Sequence, residues 1–385
     1  MPKLSDIFGQ EAAVRVLRRA LTHDCLAGTY LFVGQAGSGK NAISLSFAQA
    51  AACLTPELNP FDACGNCSSC LRFVKGTQPE IVRIAPAGDS TQIWQFWTRD
   101  NKPPATLSLT LNYAPIIGKR RVYLIEQADT LTESAANSLL KVLEEPPPYA
   151  LFLLMATHPA RVLPTIVSRS QTVLIRVAAR EDLTRFLEST HALTHAEATL
   201  LTDYSGGLIG EAVTLSTNPA MREEISKILD FAETIPGAPR VRALKLAENL
   251  RKLATGTKAL AGLEQKTASS DAEPEDAATA KERAGRGQLT AVLRILILFY
   301  RDLLTLRAAS ESPSLSNFSE QKEETRLING DRVTSLSRLS QKGSVERWMN
   351  SVDAFLLAWR RLEANANVNL VTESLLMSLV SETGQ

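Results

Sequence analysis

The sequence has no excess of charge of either sign: 42 Lys and Arg stand against 41 Asp and Glu, a formal net charge of +1 and a pI near 7.6. So balanced a chain carries no global electrostatic signature for nucleic acid, and any basic surface has to be local. Long apolar runs are missing as well. The stretch from Leu293 to Tyr300 is broken by Arg294 and falls far short of the ~20 residues that a bilayer-spanning helix needs. No early apolar stretch has the charged flank and cleavage site of an export signal, so no membrane association is expected and the cytoplasm is the expected compartment. Internal repeats are absent. What is present is an ordinary globular composition, 44% hydrophobic and 22% charged over 385 residues, enough for two or three domains with their own cores.

Cysteine is scarce and unevenly placed. Of the five, Cys25 stands alone and reads as a small core residue, whereas Cys53, Cys64, Cys67 and Cys70 fall in one short stretch. In a chain with no export signal such a grouping favours metal over disulfides. The Cys53-x₁₀-Cys64-x₂-Cys67-x₂-Cys70 spacing supplies four thiolates, with Gly65 allowing the turn after Cys64. Four sulfur ligands and no open position suit structural, tetrahedral Zn²⁺. An iron–sulfur cluster meets the same ligand count, but nothing else in the sequence points to electron transfer.

Two residue types are also missing where phosphate chemistry would want them. Gly34-Gln35-Ala36-Gly37-Ser38-Gly39-Lys40-Asn41 fits a phosphate-binding loop, with Gly34, Gly37 and Gly39 for the backbone cradle and Lys40 for charge neutralisation. The last position lacks the Ser or Thr hydroxyl that ligates Mg²⁺ and carries Asn41. The apolar run Val122–Ile125 ends in Glu126-Gln127, where an ATPase of this type places an Asp for the metal and a Glu for the attacking water. Gln127 has no titratable oxygen and cannot act as a general base. The frame is that of an ATPase, and parts of its chemistry are gone. The residues leave ATP or ADP binding open.

The surrounding pattern places the loop on an α/β frame. Ile7–Ala20 reads as an amphipathic helix with Arg15, Arg18 and Arg19 on its polar side. Thr29–Val33 is a buried strand feeding the glycines, and Ala42–Ala52 a helix whose N-terminus faces the phosphate. Glu80–Ile84, Arg121–Ile125 and Leu151–Ala156 read as further strands, and Glu133–Leu143 as a helix stopped by Pro146-Pro147-Pro148. Strands alternating with helices imply a mostly parallel sheet covered on both faces. Beyond Arg180 the signal is helical. The predicted layout is an α/β domain over 1–176 with the cysteine module at 53–70, a helical domain over 177–240, a linker helix and flexible insertion over 241–288, and an all-helical domain over 289–385. The stretch 255–288, centred on the acidic Asp271–Asp276, is too poor in apolar side chains to repay ordering. Lys75, Lys119, Arg120, Arg121 and Lys141 read as solvated basic positions, Lys141 being also a candidate for a sequence-blind phosphate contact. Trp94, Phe96 and Trp97 are expected to anchor a core before serving as a base-stacking platform.

Several ordered motifs carry a resemblance. Val122-Tyr123-Leu124-Ile125-Glu126-Gln127-Ala128-Asp129, Ala136–Pro147, Ala156-Thr157-His158-Pro159 and Leu163–Ser170 closely resemble the bacterial clamp-loader subunits of DNA polymerase III, which are AAA+ proteins. The resemblance covers roughly residues 1–176 and extends weakly to the end through Tyr300–Leu303 and Asn367–Asn369. It implies an AAA+ P-loop domain with an inserted zinc knuckle, a small helical lid and a C-terminal helical collar. It also implies membership of a five-subunit ring, with tau/gamma and delta subunits as partners, that places a sliding clamp on primer–template DNA. By the same resemblance Thr157 matches the polar sensor of the γ-phosphate, and Arg169 matches the arginine finger offered to a neighbour's nucleotide. In Gly207-Leu208-Ile209-Gly210-Glu211-Ala212, Gly210 stands where the lid's sensor arginine is expected. Asn41, Glu126, Gln127 and Gly210 together depart from one task while Arg169 survives. That pattern suits a stator without ATPase or polymerase activity of its own, and the alternative is an active ATPase of the tau/gamma type.

Overall fold

Three strands are buried along their whole length, and their sequences show why. Thr29–Val33 (β1), Arg121–Ile125 (β3) and Ala150–Ala156 (β4) are near-continuous apolar runs, the pattern of strands covered on both faces. With Ile81–Ile84 (β2) and Gln171–Leu174 (β5) they form a parallel sheet in the order β2-β3-β4-β1-β5. The structure is a computed structural model that describes residues 3–56, 59, 61–88, 90–98, 106–257, 260, 277–311, 327–364 and 366–380. The acidic stretch Asp271–Asp276 lies outside these residues.

Alternate side chains of each strand enter opposite layers. Tyr30, Phe32, Val122, Leu124 and Leu153 pack with Leu17 of Glu11–Thr22 (α1) and Phe47 of Lys40–Ala51 (α2). Cys53, Ala63 and Cys70 belong to this layer, so the cysteine module, with Ser68–Val74 (α3), is seated in the core of the domain. Leu31, Val33, Tyr123, Phe152 and Leu154 face the other way, against Leu139 and Leu143 of Glu133–Glu144 (α5) and Ile166 of Pro164–Val167 (α6). Phe96 is buried in this second layer and Trp97 packs on it, donating to Ser138 Oγ at 3.0 Å, as the core-anchor reading expected.

Strand β5 had no counterpart in the sequence reading. It is an edge strand of four residues on which only Val173 is buried while Leu174 is exposed, so apolar and polar residues do not alternate along it. Two other expectations are corrected. Cys25 is exposed: it follows the end of α1 beyond Asp24, whose φ of 49° turns the chain away from the core. Arg121 is 5% exposed rather than solvated, and it forms an ion pair with Glu80, itself 1% exposed, at 2.6 Å. Arg121 also donates to the carbonyls of Thr110 and Tyr113 at 2.5 and 2.7 Å, beside the short helix Thr106–Thr110 (α4). Glu80 accepts the N–H groups of Ile116 and Ile117 at 2.6 and 3.2 Å. The pair thus clips the 110–117 loop to the start of β3. Breaking a buried pair from one side leaves an unpaired charge, so Arg121→Ala is expected to destabilise this domain by about 3–5 kcal/mol in urea denaturation. Replacing both partners by Met and Leu should recover only part of that loss, because four backbone groups of the loop stay unpaired. Full recovery would show that the clip does no more than fill space.

From Arg180 the described chain is helical: Arg180–His191 (α7), His195–Ser205 (α8), Ile209–Thr217 (α9), Pro219–Thr234 (α10) and Ala243–Gly256 (α11), then helices over Ala277–Glu311, Val333–Ser340, Val345–Glu363 and Val368–Leu379. The helix from Ala277 runs through the last third of the stretch read as a flexible insertion. Residues 277–288 are rich in Ala, Lys, Glu and Arg, good helix formers, and the apolar run from Leu289 supplies the packed segment from which a helix propagates backward.

Two compact units are resolved, Met1–Phe186 with Gly206–Glu211, and a helical one holding most of the remainder. Within the second, Tyr300 sits between Trp348 and Phe355, with ring centroids 6.0 and 4.8 Å away. The buried Asp302 accepts both N–H groups of Asn329, at 2.8 and 2.7 Å, and Asn329 in turn accepts from the Tyr204 hydroxyl. Burial lifts the Asp302 carboxyl above its ordinary range, against the pull of these donors. Among the described residues no helix is long and apolar enough to cross a membrane.

Candidate functional site

Parallel strands deliver their carboxyl ends to one edge of the sheet, and the sequence motifs sit there. β1 runs into Gly34, β3 into Glu126 and β4 into Thr157, with Val33 beside Ala156 and Ile125 beside Leu154. Gly34 N–H donates to Ala156 O at 3.1 Å, tying the glycine loop to the central strand. Gly37 and Gly39 have φ of 78° and 90°, a backbone that side-chain-bearing residues rarely adopt, and Gly39 caps α2. Asn41 lies exposed in the first turn of that helix.

Lys40 is turned onto its own loop, donating to the carbonyls of Gly34 and Gln35 at 3.0 and 3.2 Å. Burial lowers its pKa, and the negative charge of Asp129 pushes the other way. Asp129 is the acid that sequence reasoning missed, although it stood in the quoted motif. Its Oδ2 accepts the Thr157 N–H at 3.2 Å and the Thr157 hydroxyl, and its Oδ1 is buried without a partner. Glu126, which stands where an Asp for the metal is expected, accepts from Arg83 of β2, at 2.9 Å from Nε and 2.5 Å from Nη2. Its place on a strand end beside a strand bearing an arginine was the available signal.

The segment 206–211 closes over the loop. Gly210 N–H donates to Gly37 O at 2.9 Å. A Cβ at position 210 would stand 3.0 Å from that oxygen, and one at Gly37 would stand 3.0 Å from Glu211 Cγ. A larger residue at 210, the expected arginine included, requires this segment or the loop to give by a few tenths of an ångström.

Arg169 follows α6 and is not directed at this loop. Its guanidinium donates to Glu144 Oε1 from both Nε, at 2.6 Å, and Nη2, and to Thr165 O at 2.9 Å. About a third of the side chain is exposed.

The four clustered cysteines converge. Their sulfurs all lie within 4.8 Å of one another, with Cys53–Cys67 at 4.0 Å and Cys64–Cys70 at 3.9 Å, and none forms a disulfide. A tetrahedral ion with sulfur ligands at about 2.3 Å needs S···S edges of about 3.8 Å, which these two separations approach. Burial acts to raise the Cys64 thiol, but donors from the Thr55 hydroxyl and the N–H groups of Asn66 and Cys67 outweigh it and bring it down to about 6. Burial pushes Cys53 and Cys70 up. The four sulfurs are placed so that together they could hold a metal ion.

The family described as "DNA polymerase III, delta subunit" matches residues 9–179, the stretch that holds every residue of the loop, the cysteine cluster and Arg169. The delta prime subunit of DNA polymerase III from Bacillus subtilis is 27% identical over 370 residues, 96% of this chain and 96% of that protein. Over nearly its whole length the chain is similar to a DNA polymerase III delta prime subunit. The tau/gamma subunit from Haemophilus influenzae is 32% identical over 195 residues, 49% of this chain and only 26% of its own length. The solved structure of a gamma subunit-related protein from Thermotoga maritima aligns over 96% of this chain and 97% of its own, with 17% identity and a TM-score of 0.42. The clamp-loader resemblance drawn from the motifs is thus borne out, and the delta prime likeness runs through the helical half as well.

Proposed function

We propose that this chain is the non-hydrolysing stator of a bacterial clamp loader. It assembles with tau/gamma and delta subunits, helps to place the sliding clamp on primer–template DNA, and offers Arg169 to the nucleotide of a neighbouring ATPase. In this reading residues 177–240 form the lid and 289–385 the collar that joins the ring. The observation that carries it is the hydrogen bond from Gly210 to Gly37, with Lys40 held by its own loop: the phosphate seat is closed by the chain itself. Asn41 without a metal-binding hydroxyl and Gln127 without a general base support the same reading. The cysteine cluster holds structural Zn²⁺ through Cys53, Cys64, Cys67 and Cys70, with no position left for a substrate.

One observation favours the alternative, an active ATPase of the tau/gamma type. Asp129 places a carboxylate near Lys40 and on Thr157, where another acid was needed to replace Gln127. The two readings separate in steady-state turnover. The purified chain is expected to hydrolyse ATP no faster than its Lys40→Ala variant; turnover abolished by both Lys40→Ala and Asp129→Asn would establish the ATPase. The stator role itself is tested by reconstitution with tau/gamma and delta proteins: a stable complex and clamp loading that depend on this chain are expected, and failure to co-elute would remove the assignment.

A further inference from the structure

Helix α1 carries a feature that the loader reading does not use. Arg15, Arg18 and Arg19 stand at i, i+3 and i+4 on its polar side, an arrangement in which like charges destabilise a helix by a few tenths of a kcal/mol per pair. Arg19 lies in the last turn, where the helix dipole favours a cation, but Arg15 does not. Four other arginines of this unit are matched to acids, Arg83 to Glu126, Arg120 to Asp24, Arg121 to Glu80 and Arg169 to Glu144, whereas among the described residues Arg72, Arg161 and Arg176 are not. Among the described residues the side chains of Arg15, Arg18 and Arg19 make no ion pair or hydrogen bond, and Arg18 Nε is buried with no partner.

The three arginines border a cleft of about 550 Å³ whose apolar lining includes Leu4, Ile7 and the half-exposed Phe61, with Glu11 the one acid among the described lining residues. This volume is that of a ligand pocket, sized for a few side chains. Guanidinium groups match carboxylates in a planar fork, and an apolar floor rewards an aliphatic or aromatic side chain. A nucleic-acid backbone asks instead for cations strung along an open groove, and a single phenylalanine is a poor stacking platform. We propose that this cleft docks a short acidic peptide segment of a partner protein, its carboxylates on Arg15 and Arg18 and one apolar side chain on the floor beside Phe61.

The test uses the full chain and a short fluorescein-labelled peptide in which Asp and Glu flank Leu and Phe, followed by anisotropy. Saturable binding is expected, weakened several-fold between about 50 and about 300 mM salt. The double variant Arg15→Glu, Arg18→Glu should weaken it by at least about tenfold with zinc content and circular dichroism unchanged, while Lys141→Glu should leave it intact. Arg18→Lys should bind less tightly than wild type, since an ammonium cannot reproduce the fork. No saturable binding would overturn the proposal, as would equal binding of a peptide with Gly in place of Leu and Phe. A single-stranded oligonucleotide that outcompetes the peptide and is lost with the same arginines would reassign the cleft to nucleic acid. Self-association abolished by Arg18→Glu would reassign it to a second copy.

Discussion

With Arg169 acting as proposed, Arg169→Ala is expected to slow ATP hydrolysis at one neighbouring site by roughly 10³–10⁵, the range that arginine fingers contribute in phosphoryl transfer. Nucleotide binding there should change little, because the charge is matched to the transition state more than to the ground state. The isolated subunit should show no change in fold or activity. Its present partner explains why the group is releasable. The Arg169–Glu144 pair is partly exposed on both sides, 33% and 48%, and such surface pairs contribute no more than about 0–1 kcal/mol. Glu144→Gln should therefore leave stability nearly unchanged while freeing the guanidinium, so the assembled loader should keep or slightly raise its turnover. The measurement is ATP turnover and clamp loading by the reconstituted complex with wild-type, Arg169→Ala or Glu144→Gln chain at matched assembly. Equal rates for wild type and Arg169→Ala would leave this chain a purely structural member of the ring.

Removing the metal should be the next largest perturbation. Elemental analysis of protein purified under reducing conditions, without added metal, is expected to give about one zinc per chain, falling to near zero in Cys67→Ser. Structural zinc contributes roughly 10–16 kcal/mol in small modules that fold only with it. Here the module is attached to a sheet with its own core, so most of the sheet should survive. The loss is not confined to the surface, though, because Cys53, Ala63 and Cys70 are buried in the layer shared with Phe47 and Leu17. A loss of about 3–5 kcal/mol from that layer would lower Tm by roughly 10 °C. Cys67 also caps α3, its sulfur accepting the Cys70 N–H at 3.4 Å, so the serine variant tests the metal with a weaker cap retained. Iron, or no metal at all, would defeat the zinc assignment.

The sequence by itself determined what depends on burial on two faces and on backbone chemistry. β1 and β3 were legible to the residue because a strand covered on both sides must be apolar throughout, and the glycine loop because positive φ and close approach leave few residue choices. The cysteine set was legible because thiolates at such spacing have few other uses. The structure decided what depends on which side chains meet across the sheet. β5 needed β1 beside it, since one buried valine is no pattern. Glu126 and Asp129 are three residues apart, and nothing local says that Arg83 on the next strand claims the first while Thr157 at the end of β4 engages the second. Arg121 looked like a solvated cation because its counter-charge, Glu80, is 41 residues away. Pairings of this kind are long-range electrostatics, and they become visible only when the fold has brought the partners within hydrogen-bond reach.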